Sequence, residues 1–145
     1  MGPFSGNSGA TSYDYVETSD GKKSIIPDAY FVLGGQRAFF LEIVKSYESE
    51  YQSGRSNIQQ KLSLYQAYKS RFQEKYGLPD FRVLWVLPTI KRVSTLLGKI
   101  DDEFPYRKFW FTDEASYKRD ILGKIWWTPK DFREKTYSLF EPKVE

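Results

Sequence analysis

A chain of 145 residues with 40% hydrophobic and 18% aromatic content (11 Tyr, 11 Phe, 4 Trp) can bury a core of its own, and its net charge of +3 permits contact with nucleic acid without arguing for it. Cysteine and histidine are both absent, which removes thiol nucleophiles, disulfide staples, zinc sites of the usual kind and histidine general bases, so any chemistry must rest on carboxylates, lysine, tyrosine or a hard cation. No apolar run reaches the ~18 residues of a transmembrane helix, and the first residues lack the basic-then-apolar order of a secretory signal, so the expectation is a cytoplasmic protein with no membrane partner.

In chain order, residues 1–12 (MGPFSGNSGATS) are Gly/Ser-rich and read as a disordered linker or cloning remnant, followed by one α/β domain over 13–140 and a polar tail over 141–145. Tyr13–Thr18 alternates as a first strand, and Ser19–Lys23 reads as a turn. Ile25–Leu33 and Arg37–Val44 are rich in β-branched and aromatic residues and are punctuated by Gly34-Gly35, a hairpin pattern; with the first strand they predict a three-stranded antiparallel meander. Ser46–Arg55, including Tyr47–Tyr51, is a polar loop or ragged helix start. From Ser56 to Tyr76 the residues Ile58, Leu62, Leu64, Tyr65, Tyr68 and Phe72 recur at three- and four-residue steps, an amphipathic helix that Gly77 stops, with Pro79 beyond it. Phe81–Leu87 suits a buried strand ended by Pro88, and Thr89 caps a second helix over Lys91–Ile100. Asp101–Pro105 is a loop and Lys108–Thr112 a further strand. Thr112 or Asp113 then caps a short helix through Tyr117, and Ile121–Asp131 adds an edge strand. Meander, helix, strand, helix, strand predicts an α/β fold, a mixed β-sheet flanked by helices.

Asp28 and Glu42 stand on neighbouring strands, and register decides whether they can act together. With Gly34-Gly35 alone as the turn, Leu33 faces Gln36 and the two acids fall on opposite sheet faces. With Gly34-Gly35-Gln36 as the loop, Leu33 faces Arg37 and Asp28 lies across from Glu42, since a one-residue slip moves every side chain to the other face. We take the three-residue loop as the expectation. Two carboxylates on an apolar hairpin repel each other unless a cation lies between them, and their oxygens suit Mg2+ or Mn2+. Taken singly, each acid also reads as an ordinary surface residue.

This order of elements, with Pro27-Asp28 on the second strand and Glu42 on the third, resembles the core of the restriction-endonuclease-like PD-(D/E)XK nucleases. Within that superfamily the chain most resembles the nuclease-like domain of plasmid replication-relaxation proteins. The resemblance runs through Pro27-Asp28-Ala29-Tyr30-Phe31, Phe39-Phe40-Leu41-Glu42, Lys61-Leu62-Ser63-Leu64-Tyr65, Phe109-Trp110-Phe111-Thr112 and Ile125-Trp126-Trp127-Thr128-Pro129. It implies a divalent metal bound by Asp28, Glu42 and the main-chain carbonyl of Ile43, and a lysine two residues after the glutamate, where this chain has Val44. Lys45 is adjacent but faces the other side of the sheet unless a bulge turns it. Lys61, four residues before Tyr65 on one helical face, resembles the Gln-x-x-x-Tyr element of some nuclease branches and is the better substitute.

Lys91-Arg92 at a helix start suits phosphate contact, although a solvated basic pair is the simpler reading. Trp126-Trp127 can stack a base or pack at an edge, and Glu17 can join the acidic pair if the first strand runs beside it. The functions these readings allow are a Mg2+- or Mn2+-dependent DNA endonuclease of a plasmid or mobile element, with Asp28, Glu42, Lys61 and Tyr65 at its centre and Lys45, Lys61, Lys91 and Arg92 on DNA; a nuclease-fold DNA-binding or replication accessory module that does not cleave; or a protein-interaction domain. A homodimer and replication or mobilisation proteins are the further partners these readings allow.

Overall fold

The computed structural model describes residues 14–18, 21–45, 57–98 and 108–140, with the side chains of 57–60 excepted. The expected N-terminal linker, the loops at 46–55 and 101–105 and the polar tail lie outside the described residues. The elements are β1 (Asp14–Thr18), β2 (Gly21–Ile25), β3 (Ala29–Leu33), β4 (Arg37–Ile43), α1 (Asn57–Ala67), α2 (Lys69–Tyr76), β5 (Phe81–Leu87), α3 (Ile90–Leu97), β6 (Phe109–Asp113) and α4 (Glu114–Arg119). They form a four-stranded mixed sheet in the order β3-β4-β5-β6, a two-stranded sheet β1-β2, and flanking helices, the mixed α/β class that the element order predicts. Among the described residues no helix is long and apolar enough to cross a membrane. The described residues fall into two compact units, 14–41 with 57–81, and 42–45 with 82–140.

In the first unit the expected meander is divided. β2 pairs with β1 from Gly21 to Ile25, and β3 pairs with β4 from Ala29 to Leu33, so Gly21–Lys23 is strand where a turn was expected. Pro27 accounts for the interruption, because it has no N–H to give a ladder and holds the preceding residue extended. The ladder of β3 and β4 starts immediately after it, where the Asp28 amide donates to the Leu41 carbonyl at 2.8 Å.

The expected long helix is likewise two. At Tyr68 the backbone amide donates to the Tyr65 carbonyl at 3.1 Å, three residues back, and this tightened turn separates α1 from α2. Gly77 ends α2 at φ 72°, a left-handed conformation glycine adopts without strain, and its amide donates to the Gln73 carbonyl. Phe40 is the hub of this core. Its ring lies 4.9 Å from Tyr30, 5.2 Å from Phe81, 5.7 Å from Tyr65 and 5.9 Å from both Tyr68 and Phe72, in tilted and edge-on arrangements that suit the ring quadrupoles.

One buried ion also ties this unit together. Asp14, 5% exposed, accepts hydrogen bonds at 2.8 Å from the Tyr68 hydroxyl, from Arg71 Nε and from the Tyr15 amide, with Lys75 Nζ at 3.7 Å. Burial alone would raise the Asp14 pKa, but the hydrogen bonds from Tyr68, Arg71 and Tyr15 and the charge of Lys75 outweigh it and hold the carboxyl below its ordinary value. Burial, and then the Asp14 bond and charge, drive the Tyr68 phenol far above the usual tyrosine range.

In the second unit β5 and β6 run parallel, Val83 opposite Phe109 through Leu87 opposite Asp113, with α3 as the crossover between them. β5 is buried at every position but Arg82, as a central parallel strand should be, and the Arg82 guanidinium lies 4.4 Å from the Trp110 ring. Thr89 caps α3 as predicted, accepting from the Arg92 amide at 3.2 Å. Of the two expected caps for α4 it is Asp113 that serves, accepting from Ser116 N and Oγ, while the buried Thr112 hydroxyl donates to the Ile125 carbonyl. The expected edge strand at Ile121–Asp131 is instead a pair of isolated antiparallel bridges, Phe111 with Trp127 and Trp126 with Tyr137.

Candidate functional site on the β3–β4 hairpin

The hairpin adopts the three-residue register. Leu33 pairs with Arg37 across the turn at residues 34–36, and the ladder continues through Ala29 opposite Leu41. Gly34 and Gly35 both take positive φ, 62° and 79°, which is why glycine stands at each. The pairing ends at Ala29 and Leu41: the Asp28 amide donates to the Leu41 carbonyl, one residue off the register of the ladder. Alternation along β4 puts Glu42 on the face that carries Phe40, while Asp28 stands at a bend just before β3 begins.

Their surroundings differ. Asp28 is exposed at the mouth of the ladder, whereas Glu42 is 3% exposed. Ile43 is half-buried at the end of β4. Among the described residues no group of three or more Asp, Glu, His or Cys side chains is arranged to hold a metal ion. Glu17, the further ligand considered from sequence, lies exposed in the β1–β2 sheet opposite Lys22, and does not join the pair. Carboxylates and main-chain carbonyls are the hard oxygen donors that Mg2+ takes, one or two carboxylates at a time with several waters retained.

Val44, at the position where the family resemblance calls for lysine, is 6% exposed, and its amide donates to the Val86 carbonyl at 2.8 Å. It is a core residue. Lys45 is exposed just beyond the strand. On α1, Lys61 is exposed and Tyr65 buried, the Tyr65 ring packing against Phe40 and, at 6.2 Å, Phe81. Tyr65 is thus anchored on the sheet face defined by Phe40, with Lys61 one helical turn earlier. Lys91 is exposed and Arg92 half-buried in the first turn of α3, on the second unit.

Two features escaped the sequence. Nothing in the spacing of Asp14, Tyr68 and Arg71 marks them as partners, since hydrogen bonds between residues 54 and 57 positions apart exist only in the fold. The two adjacent tryptophans also separate in role. Trp126 is fully buried with its indole N–H on the Ile121 carbonyl, while Trp127 is half-buried against Phe132. Comparison with protein-family models, with curated proteins and with solved structures finds no match to this chain.

Proposed function

We propose that this chain is a divalent-metal-dependent DNA endonuclease built on a nuclease-like hairpin, of the kind its resemblance to plasmid replication-relaxation proteins implies, with Asp28 and Glu42 as the metal-binding carboxylates. The observation that supports the reading is the Leu33–Arg37 pairing, the three-residue turn that the nuclease reading requires. The two carboxylates, with the Ile43 carbonyl, supply hard oxygen donors whose mutual repulsion a divalent cation relieves. When bound, Mg2+ or Mn2+ would supply Lewis-acid stabilisation of a phosphate and a water of lowered pKa. Lys61 supplies positive charge for a phosphate oxygen from the first half of α1, and the buried Tyr65 ring fixes where that half of the helix lies on the sheet. Glu42 is buried, and the lower dielectric there strengthens its pull on a cation.

One observation favours a second reading, DNA binding without cleavage: Val44 is buried where a lysine would have supplied charge. Nicking of supercoiled plasmid in Mn2+ separates the two. The endonuclease reading expects cleavage that falls by at least about 100-fold in Asp28→Ala and in Glu42→Gln, each checked for folding by circular dichroism. Salt-dependent DNA binding with no cleavage by the native protein would replace it with the second reading. Absence of any such binding would refute both and leave a protein-interaction domain.

A further inference from the structure

We infer that the loop between Trp126 and Tyr137 is a binding surface for single-stranded DNA, with Trp127 and Phe132 as its stacking groups and Lys130, Arg133 and Lys135, joined by Lys124 just before the loop, as its phosphate contacts. The loop is closed at its base. Trp126 and Tyr137 exchange both backbone hydrogen bonds, at 3.1 and 2.8 Å, and Trp127 exchanges both of its own with Phe111 of β6, at 2.7 and 2.8 Å. Inside, the Tyr137 hydroxyl donates to the Asp131 carboxylate, and the Asp131 amide donates to Thr128 Oγ1. Compact loops of this type, with their ends pinned and their own side chains filling them, are frequent carriers of function.

What the loop presents outward points to a ligand. Trp127 and Phe132 meet edge to face, with centroids 5.4 Å apart, and each is only half-buried. Arg133 holds φ 74°, the one non-glycine residue with positive φ among the described residues, and its guanidinium lies 4.9 Å from the Phe132 ring. Glycine or asparagine would take that backbone with less strain than arginine does. Lys135 similarly lies 4.9 Å from the Tyr137 ring. Lys124, Lys130, Arg133 and Lys135 are all exposed, and among the described residues none of them is in an ion pair. Asp131 is engaged by Tyr137, which leaves Glu134 as the exposed acid of the loop.

Cations interleaved with half-exposed rings match a strand whose bases are unpaired. Phosphates meet the ammonium and guanidinium groups, and bases stack on the rings. Duplex DNA offers the phosphates but hides the base faces, and an acidic peptide offers charge without rings to stack. The inference does not depend on the hairpin carboxylates, which lie on other elements.

The test is fluorescence anisotropy with a labelled oligo-dT, using the full chain and a series of salt concentrations. Expected are binding that weakens with salt, quenching of tryptophan emission as bases stack, and at least tenfold weaker binding to a duplex of the same length. Reversing Lys130, Arg133 and Lys135 to Glu should weaken binding more than tenfold and flatten the log–log salt slope by about 2, at roughly 0.7 per lost phosphate contact. Arg133→Gly, which relaxes the backbone, should keep or raise thermal stability while weakening binding. Equal binding of oligo-dT by the native and charge-reversed proteins, or equal affinity for polyglutamate, would overturn the inference.

Discussion

Asp14 is the place where the physics of the first unit is most open to test. In Asp14→Ala the Tyr68 hydroxyl, in a residue only 1% exposed, loses a charged acceptor 2.8 Å away, a bond of a class worth about 1.5–3 kcal/mol. The Tyr15 amide loses its acceptor as well, for about 1 kcal/mol more. Arg71 and Lys75 keep 39% and 33% of their side chains in solvent, so water takes over their charge and they add nothing to the sum. Removing the carboxylate also relieves its own desolvation, which brings the expected net loss to about 2–3 kcal/mol. Urea unfolding followed by far-ultraviolet circular dichroism measures it, by extrapolation to water.

The pH dependence has a definite sign. Because the folded-state pKa of Asp14 is depressed, its contribution is present above the unfolded value of about 3.9 and is lost as pH falls through the depressed folded value. The stability gap between the native chain and Asp14→Ala should therefore be full at pH 7 and narrow below about pH 4. A loss under about 1 kcal/mol at pH 7, or a gap that does not change down to pH 2, would refute the account of Asp14 as an ion held by its neighbours.

Tyr30 is pushed up to about 12 by burial and then by the charge of Tyr76, whose ring is 4.7 Å away; its raised folded value contributes stability that is full below about pH 10 and lost as pH climbs toward 12, and ultraviolet titration of the native chain against Tyr30→Phe should reveal a phenol still protonated at pH 11. Phe40→Leu should cost about 1–3 kcal/mol and Phe40→Ala about 3–5 kcal/mol in the same urea assay, because so many rings close on that one position. Gly77→Ala should cost about 1 kcal/mol, the strain of placing a Cβ at φ 72°, although nothing stands within 4 Å of the added carbon.

How far the sequence could be read depended on whether the deciding interaction was local. The hairpin register was legible because two glycines and the alternation of neighbouring residues determine it. Gly77, Thr89 and the bounds of β5 were legible for the same reason, each resting on a backbone requirement within a few residues. The break at Tyr68 was hidden, since the apolar steps run unbroken from Leu62 to Phe72 and only the local i to i−3 hydrogen bond marks the turn. The split of β2 from β3 was announced by Pro27, but apolar residues on either side read as one strand. Trp126-Trp127 looked like one motif. Only the bridges to Tyr137 and Phe111 assign one indole to the interior and the other to a loop surface. For the candidate site, spacing did not indicate that Asp28 is exposed and Glu42 buried, since burial is set by whatever packs on the strand from elsewhere.

Every tryptophan of the chain, at positions 85, 110, 126 and 127, falls within 82–140, while the described residues of 14–41 and 57–81 carry tyrosine and phenylalanine as their only aromatics. Indole emission therefore follows the half built on the parallel strands alone, whereas far-ultraviolet circular dichroism follows both halves. A denaturant titration read in both channels at once tells whether the halves melt as one cooperative body or in succession, without a single label being attached.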